Sequence, residues 1–334
     1  MKTITTALSA AIFTMYTTAC VQAPDMSAVK AERDKPVQRS DNFQAAASNG
    51  KQLVSAGGGG VLVTSADGGR NWVREQLPSP SSVVAMAACP DGGFAALDFY
   101  RKVWIGDQDG RNWRSQAVDG DFNPIDLACD ARNRLWVVGS YSTVLVSEDR
   151  GKSWAAQPPG EDAILTAVQF VDADHGYIAG EFGTLLVTRD GGGSWTKQAG
   201  LPAEFYPYAM SFTDAKTGWV SGLAGSVLHT VDGGASWTAQ ANASAAPIYA
   251  LLPVGGTLFG VGGGGKVLKL DGEAWTALEA APRFPADLAA AAALEPQALL
   301  VAGGAGALSV VELAARAAAR AAPVLASINA EGQP

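Results

Sequence analysis

Four segments of the chain repeat the pattern Ser/Thr-x-Asp-x-Gly-x-x-Trp, which places a hydroxyl, a carboxylate and an indole close together. The copies are Ser65, Asp67, Gly69 and Trp72; Ser147, Asp149, Gly151 and Trp154; Thr188, Asp190, Gly192 and Trp195; and Thr230, Asp232, Gly234 and Trp237. A carboxylate beside a hydroxyl could serve acid–base chemistry, or it could accept backbone N–H groups and close a turn. Glycine supplies the positive φ of such turns, and the tryptophan can return into a sheet.

Two altered copies help to decide between chemistry and structure. Residues 106–113 and 268–275 keep the glycine and the tryptophan but shift the aspartate by one place. A catalytic carboxylate does not tolerate such a shift, whereas a turn does. We therefore interpret the repeated box as a structural hairpin turn, and we predict no catalytic residue in it.

Other groups could carry chemistry outside the box. Glycoside hydrolysis needs two carboxyl groups across a cleft, and the non-repeating acids are the candidates. They are Asp121, Glu161, Asp162 and Glu204. The chain has only two histidines, His175 and His229, so we predict no metal site and no cofactor.

Two cysteines occupy positions that hold phenylalanine in other repeats. Cys89 and Cys129 are therefore predicted to be buried free thiols, with a disulfide between neighbouring units as the alternative. The net charge of −8 and the 17% of charged residues argue against broad nucleic-acid binding, because phosphate needs a basic surface.

The box tryptophans also define a period. Trp72, Trp113, Trp154, Trp195, Trp237 and Trp275 are separated by 41, 41, 41, 42 and 38 residues. Each unit contains four short segments rich in β-branched or aromatic residues, with Gly, Asp and Asn between them. Four strands in such a period are typical of one propeller blade. We predict an all-β, seven-bladed β-propeller of four-stranded antiparallel blades over residues 43–318.

The remaining residues are assigned to export and attachment. Residues 1–20 resemble a bacterial lipoprotein signal in which Cys20 becomes the lipid-bearing residue, and a plain secretory signal is the alternative. Residues 21–42 are predicted to be a flexible tether and residues 319–334 a disordered tail. The predicted location is the periplasm, with a lipid anchor in the outer membrane.

The fuller repeat is similar to a known family. Residues 176–195 (GYIAGEFGTLLVTRDGGGSW) and 218–237 (GWVSGLAGSVLHTVDGGASW) resemble the photosystem II stability/assembly factor family, and the box alone resembles the Asp-box (BNR) repeats of sialidases. The assembly-factor resemblance implies an exported propeller without enzyme activity that helps to assemble a membrane protein complex. A carbohydrate-binding or glycoside-hydrolysing propeller is the alternative.

The same resemblance implies a basic surface patch that binds the partner. Arg70, Arg111 and Lys152 share one box position in the first three units and are the candidates, with solvated turn charges as the alternative. The loops between units carry Phe122, Phe205 and Tyr206. These aromatic side chains are predicted to be exposed for protein contact, and the alternative is that they cover the core.

Overall fold

The computed structural model describes residues 25–157, 162–279, 281–294 and 297–313, and the chain divides into two compact units, 1–35 and 36–334. In the first unit the described residues form helix α1, Ser27–Arg33, which buries no side chain. This helix lies in the predicted tether, and its alanine, lysine and glutamate residues favour it. No helix in the described ranges is long and apolar enough to cross a membrane. Cys20, the predicted signal and the predicted tail lie outside these ranges.

The second unit consists of β-strands that form seven consecutive blades. Blade 1 contains β1 (Phe43–Ser48), β2 (Leu53–Gly57), β3 (Val61–Ser65) and β4 (Val73–Gln76); blade 2, β5 (Val83–Ala88), β6 (Phe94–Asp98), β7 (Lys102–Gly106) and β8 (Arg114–Ala117); blade 3, β9 (Pro124–Cys129), β10 (Leu135–Gly139), β11 (Val144–Ser147) and β12 (Ala155–Ala156). Blade 4 contains β13 (Leu165–Phe170), β14 (Gly176–Gly180), β15 (Thr184–Thr188) and β16 (Thr196–Gln198); blade 5, β17 (Pro207–Phe212), β18 (Gly218–Gly222), β19 (Val227–Thr230) and β20 (Thr238–Asn242); blade 6, β21 (Ile248–Val254), β22 (Thr257–Gly262), β23 (Lys266–Asp271) and β24 (Ala274–Ala277). Blade 7 contains β25 (Leu288–Leu294), β26 (Ala298–Gly303) and β27 (Leu308–Glu312).

The sheets form a closed ring. Consecutive strands pair antiparallel within each blade, and the first strand of each blade packs against the first strand of the next. Strand β25 of blade 7 packs against β1 of blade 1, which closes the circle. Parallel pairing of β20 with β24 joins blades 5 and 6 into one eight-stranded sheet. The prediction of an all-β propeller is therefore confirmed, and the seven blades agree with the predicted blade number. Blade 7 has three strands within the part of the chain that the structure describes.

Apolar side chains fill the spaces between blades. Trp136 of blade 3 is 0% exposed and packs against Phe170 and Trp195 of blade 4, with ring centroids 5.0 and 5.7 Å away. A Cβ atom at Gly192, whose φ is +85°, would lie 2.2 Å from the Trp136 ring. The box glycine is therefore required both by its conformation and by close packing.

Residues just before β1 form hydrogen bonds with both blade 1 and blade 7. The Asp41 side chain is buried and accepts hydrogen bonds from both terminal nitrogens of Arg74 in blade 1, at 2.7 and 2.9 Å. Its backbone carbonyl accepts the N–H of Gly306 in blade 7, at 2.8 Å. The last residues of the predicted tether are therefore part of the propeller.

Cys89 and Cys129 form a disulfide between blades 2 and 3, with a Cα–Cα distance of 5.2 Å. The prediction of free thiols is therefore wrong. Both cysteines lie at the carboxyl ends of innermost strands, β5 and β9, which pack side by side. Neighbouring blades are close enough there for a disulfide, because the spacing between blades is smallest near the ring axis.

Candidate protein-binding faces

The antiparallel blades give the propeller two chemically different faces. The turns between the first and second strands and between the third and fourth strands lie at one end of each blade. We call this end the box face, because the third-to-fourth turns hold the Asp boxes. The turns between the second and third strands lie at the other end with the connections between blades, and we call this end the loop face.

Each intact Asp box is a closed hydrogen-bonded turn. In blade 4 the Thr188 hydroxyl donates to Asp190 Oδ1 at 2.7 Å and accepts the Gly192 N–H at 2.7 Å. The Ser194 N–H and hydroxyl donate to the two oxygens of Asp190, at 2.9 and 2.7 Å. The same pattern joins Ser65, Asp67, Gly69 and Asn71; Ser147, Asp149, Gly151 and Ser153; and Thr230, Asp232, Gly234 and Ser236.

These hydrogen bonds also set the charge of the box. The pKa of each of the four box carboxyls is lowered to about 2, mainly by hydrogen bonds from the residue four places later. For Asp67 the largest contribution comes from the backbone N–H of Asn71. For the other three it comes from a serine hydroxyl, that of Ser153, Ser194 or Ser236. A carboxylate held ionised by its own turn is a poor proton donor near neutral pH. The geometry of the box is accounted for by the hairpin that it closes.

The three predicted cations lie on the box face of consecutive blades. Arg70, Arg111 and Lys152 are exposed, and none of them forms a salt bridge within the described ranges. The equivalent residues of blades 4 and 5 are Gly193 and Ala235. The structure thus places the three cations on one side of the ring.

Other arginines near these cations have structural partners. Arg132 pairs with Asp174 of blade 4, and Arg150 pairs with Asp91 of blade 2. Arg134 pairs with Asp130 at 2.6 Å. These arginines hold neighbouring turns together, so they are distinguished from Arg70, Arg111 and Lys152 by their contacts.

The aromatic residues of the connecting loops differ from the prediction. Phe122 is 4% exposed and Phe205 is 8% exposed, so the prediction that these side chains are exposed is wrong for both. They close the ends of the cores between blades, where burial of a large ring is favourable. Tyr206 is half-buried, with its ring centroid 6.1 Å from that of Tyr208.

A central cavity of about 340 Å³ runs between the innermost strands of all seven blades. Its wall has one carboxyl, Asp126, at a position occupied by alanine in the other blades: Ala45, Ala85, Ala167, Ala209, Ala250 and Ala290. Asp126 accepts the N–H groups of Leu127 at 2.8 Å and of Val168 in blade 4 at 2.9 Å. Burial raises its pKa to about 6. Aligning the seven innermost strands would have found this residue.

Among the residues that the structure describes, the remaining candidate groups have other partners or stand apart. Asp121 is fully exposed and pairs with Arg101 at 3.4 Å, whereas Glu161 lies outside the described residues. His175 lies 2.9 Å from Asp172, and the ring of His229 stacks on Trp219. Within the described ranges no three metal-ligating side chains come together.

Comparison with known proteins adds family and fold. Residues 159–244 and 197–324 match the family model of the photosynthesis system II assembly factor YCF48. No curated protein sequence matches the chain. A solved structure described as YCF48 bound to D1 peptide is similar with a TM-score of 0.68 and 14% identity, over 84% of this chain and 95% of that chain. YCF48 from Cyanidioschyzon merolae is similar with a TM-score of 0.57 and 17% identity, over 68% and 82% of the two chains.

A virginiamycin B lyase from Staphylococcus aureus is also similar, with a TM-score of 0.71 and 11% identity, over 83% of this chain and 96% of that chain. At these identities the structural likenesses establish the propeller fold and nothing finer. The family match rests on the repeats themselves. By these repeats the chain belongs to the YCF48 assembly-factor family.

Proposed function

We propose that the chain is an exported, non-enzymatic propeller that binds a subunit of a membrane protein complex and assists its assembly. The observation that carries this proposal is the set of exposed cations Arg70, Arg111 and Lys152 on consecutive blades, in a chain of an assembly-factor family. The solved YCF48 with a bound D1 peptide supports a peptide-binding role by analogy.

The box turns would help these cations to bind a partner. Each cation projects from a backbone that the neighbouring aspartate holds through several hydrogen bonds. A preformed turn loses little conformational entropy when a ligand binds. Arginine and lysine side chains in this arrangement suit an acidic segment or a chain-terminal carboxylate, and binding should weaken as salt is added.

Export and anchoring form the second part of the proposal. Cys20 would carry the lipid, and the Cys89–Cys129 disulfide fits an oxidising compartment outside the cytosol. We expect Cys20→Ser to move the protein from the membrane fraction to the soluble fraction without changing its melting temperature. Persistence in the membrane fraction would contradict the lipid anchor.

The carbohydrate alternative has less support. Glycoside hydrolysis needs two carboxyl groups about 5–10 Å apart. The described wall of the central cavity contains one carboxyl, Asp126, and both of its oxygens already accept backbone hydrogen bonds.

The test is photo-crosslinking and pull-down of the full-length protein from native membranes. The variant Arg70→Glu, Arg111→Glu, Lys152→Glu keeps every backbone donor of the boxes, so its fold should be retained. We expect its capture of the membrane partner to fall about tenfold or more, because three favourable charges become repulsive.

A matched control changes three exposed cations of blades 5 to 7, Lys216, Lys266 and Arg283, to glutamate. It alters the net charge by the same amount and should leave capture unchanged. Equal capture by all three proteins would remove the box-face cations from the proposal. Capture of glycans without any protein would favour the carbohydrate alternative.

A further inference from the structure

The loop face carries a row of exposed apolar side chains. They are Phe99 and Tyr100 in blade 2, Tyr141 in blade 3, Phe182 in blade 4 and Leu223 in blade 5. All five lie in the turn between the second and third strands of their blade. We call this set the apolar arc. The same turn in blades 1, 6 and 7 holds only small residues, Gly58–Gly60, Gly263–Gly265 and residues 304–306 (GAG).

The backbone of these turns does not favour large side chains. Tyr141 and Phe182 have φ values of 56° and 57°, and the equivalent Gly59 and Gly264 both have a φ of 65°. A bulky residue in the left-handed region is strained, whereas glycine is not. Tyr141 and Phe182 are also 68% and 66% exposed, so burial within the chain does not compensate for that strain.

A cavity borders one part of the arc, and acidic side chains lie near it. A cavity of about 420 Å³ lies beside Tyr141, with Phe122 and Thr143 in its wall and Asp119 and Asp121 at its edge. Further exposed acids stand on the connecting segments of the same blades, Asp162 and Glu204. Nearby cations are already engaged, since Arg101 pairs with Asp121 and Lys102 donates to the carbonyl of Pro80.

The exposed apolar side chains and the acids near them together indicate what kind of partner would bind here. Large exposed apolar patches on a rigid scaffold are typical of protein contact sites. An acidic border favours a cationic partner and repels an anionic membrane surface. We propose that the apolar arc is a docking surface for a protein segment that presents apolar side chains flanked by lysine or arginine.

The proposal is independent of the box-face cations, because the two surfaces lie at opposite ends of the blades. A propeller with both surfaces could hold two segments at once, an acidic one on the box face and a cationic one on the loop face. Such a bivalent arrangement would increase the effective concentration of the two segments.

The experiment places a photoreactive phenylalanine analogue at Phe182 of the full-length protein, with the same analogue at Ala305 as the matched control. Ala305 lies in the equivalent turn of blade 7 and also has a positive φ. After crosslinking in native membranes, mass spectrometry identifies the attached segment. We expect apolar segments with adjacent lysine or arginine at Phe182 and far less capture at Ala305.

Two variants then test the two features of the surface. Asp119→Lys with Asp162→Lys and Glu204→Lys should reduce capture at Phe182 about tenfold or more. Tyr141→Gly with Tyr100→Ala should reduce it as well, while the melting temperature is unchanged or higher because glycine suits the turn. Attachment to lipid, equal capture at Ala305, or capture unaffected by charge reversal would overturn the proposal.

Discussion

The two faces of the propeller differ in how far their turns repeat. On the box face, blades 1, 3, 4 and 5 use the same hydrogen bonds between hydroxyl, carboxylate and backbone. On the loop face, one turn position holds Gly59, Tyr141, Phe182 or Ala224, with φ values of 65°, 56°, 57° and 54°. We therefore assign the uniform box residues to the scaffold. The large loop-face side chains that replace small residues at the same turn are the ones that we propose for docking.

The box face also contains departures, and they concern charge. The carboxylates of the boxes are the same in four blades, whereas the cations Arg70, Arg111 and Lys152 occur only in blades 1 to 3. The exposed acids Asp119 and Glu204 belong to the loop face. The three box-face cations and the loop-face acids are thus expected to select segments of opposite charge.

The largest expected effect on stability comes from the scaffold beneath the box face. Trp136→Ala should lower the free energy of unfolding by about 4 kcal/mol, because it removes a fully buried ring that packs on Phe170 and Trp195. Tyr141→Ala on the loop face should change it by less than about 0.5 kcal/mol. Denaturant titration measures the free energy of unfolding of both variants. Similar decreases in the two would contradict the assignment of Trp136 to the scaffold and Tyr141 to recognition.

The next effect concerns the disulfide at the box-face end of β5 and β9. Cys89→Ala with Cys129→Ala should cost about 3 kcal/mol, because the bond closes a long loop in the unfolded chain. Thiol reductant should lower the melting temperature of the parent protein and not that of the double variant. Crosslinking at Phe182 should be unchanged, and its loss would show that the two faces are coupled.

A third prediction concerns Asp126 in the wall of the central cavity. Its folded-state pKa of about 6 lies above the unfolded value of about 3.9. The native state therefore binds the proton more tightly, and stability should fall by about 2 kcal/mol as pH rises from 4 to 7. The box carboxyls act oppositely, because their pKa values of about 2 make stability fall as pH drops from about 4 to 2.

The matched variant for this prediction is Asp126→Ala, which installs the residue of the other six blades. The difference in unfolding free energy between parent and variant, followed across pH 4 to 7, isolates the one carboxyl. A difference independent of pH would show that Asp126 titrates in the folded protein as it does in the unfolded chain.

The smallest expected effect is a gain in stability. Phe182→Gly should raise the free energy of unfolding by about 0.5 kcal/mol, since relief of the left-handed strain slightly exceeds the entropy cost of glycine. Phe205→Gly, at a buried position, is the control and should be strongly destabilising. A stability loss at Phe182 would assign that residue to the scaffold and weaken the docking proposal.

Much of the fold could be predicted because the repeat itself carries the information. The period of Trp72, Trp113 and Trp154 fixes the number of strands in a blade, and the altered boxes identify a turn. The join between blades 7 and 1 could not be predicted in this way. Asp41 pairs with Arg74 of blade 1 and accepts the N–H of Gly306 of blade 7, but it lies before the first repeat, so no periodic signal identifies these contacts.

The candidate binding surfaces were harder to predict from the sequence than the fold. The shared box position of Arg70, Arg111 and Lys152 follows from the repeat, but their lack of a salt bridge depends on which other arginines find partners. Phe122 and Phe205 have an aromatic composition suited to contact, and only packing shows that they are buried. Comparing turn residues between blades would have found Tyr141 and Phe182.

The central claim is that the box-face cations bind a partner independently of the opposite face. It is tested most directly by crosslinkers at two exposed positions, Glu148 on the box face and Phe182 on the loop face. Each is placed in the parent and in the variant with Arg70, Arg111 and Lys152 changed to glutamate. We predict that charge reversal removes capture at Glu148 and leaves capture at Phe182 intact. Undiminished capture at Glu148 in the reversed variant would contradict the account.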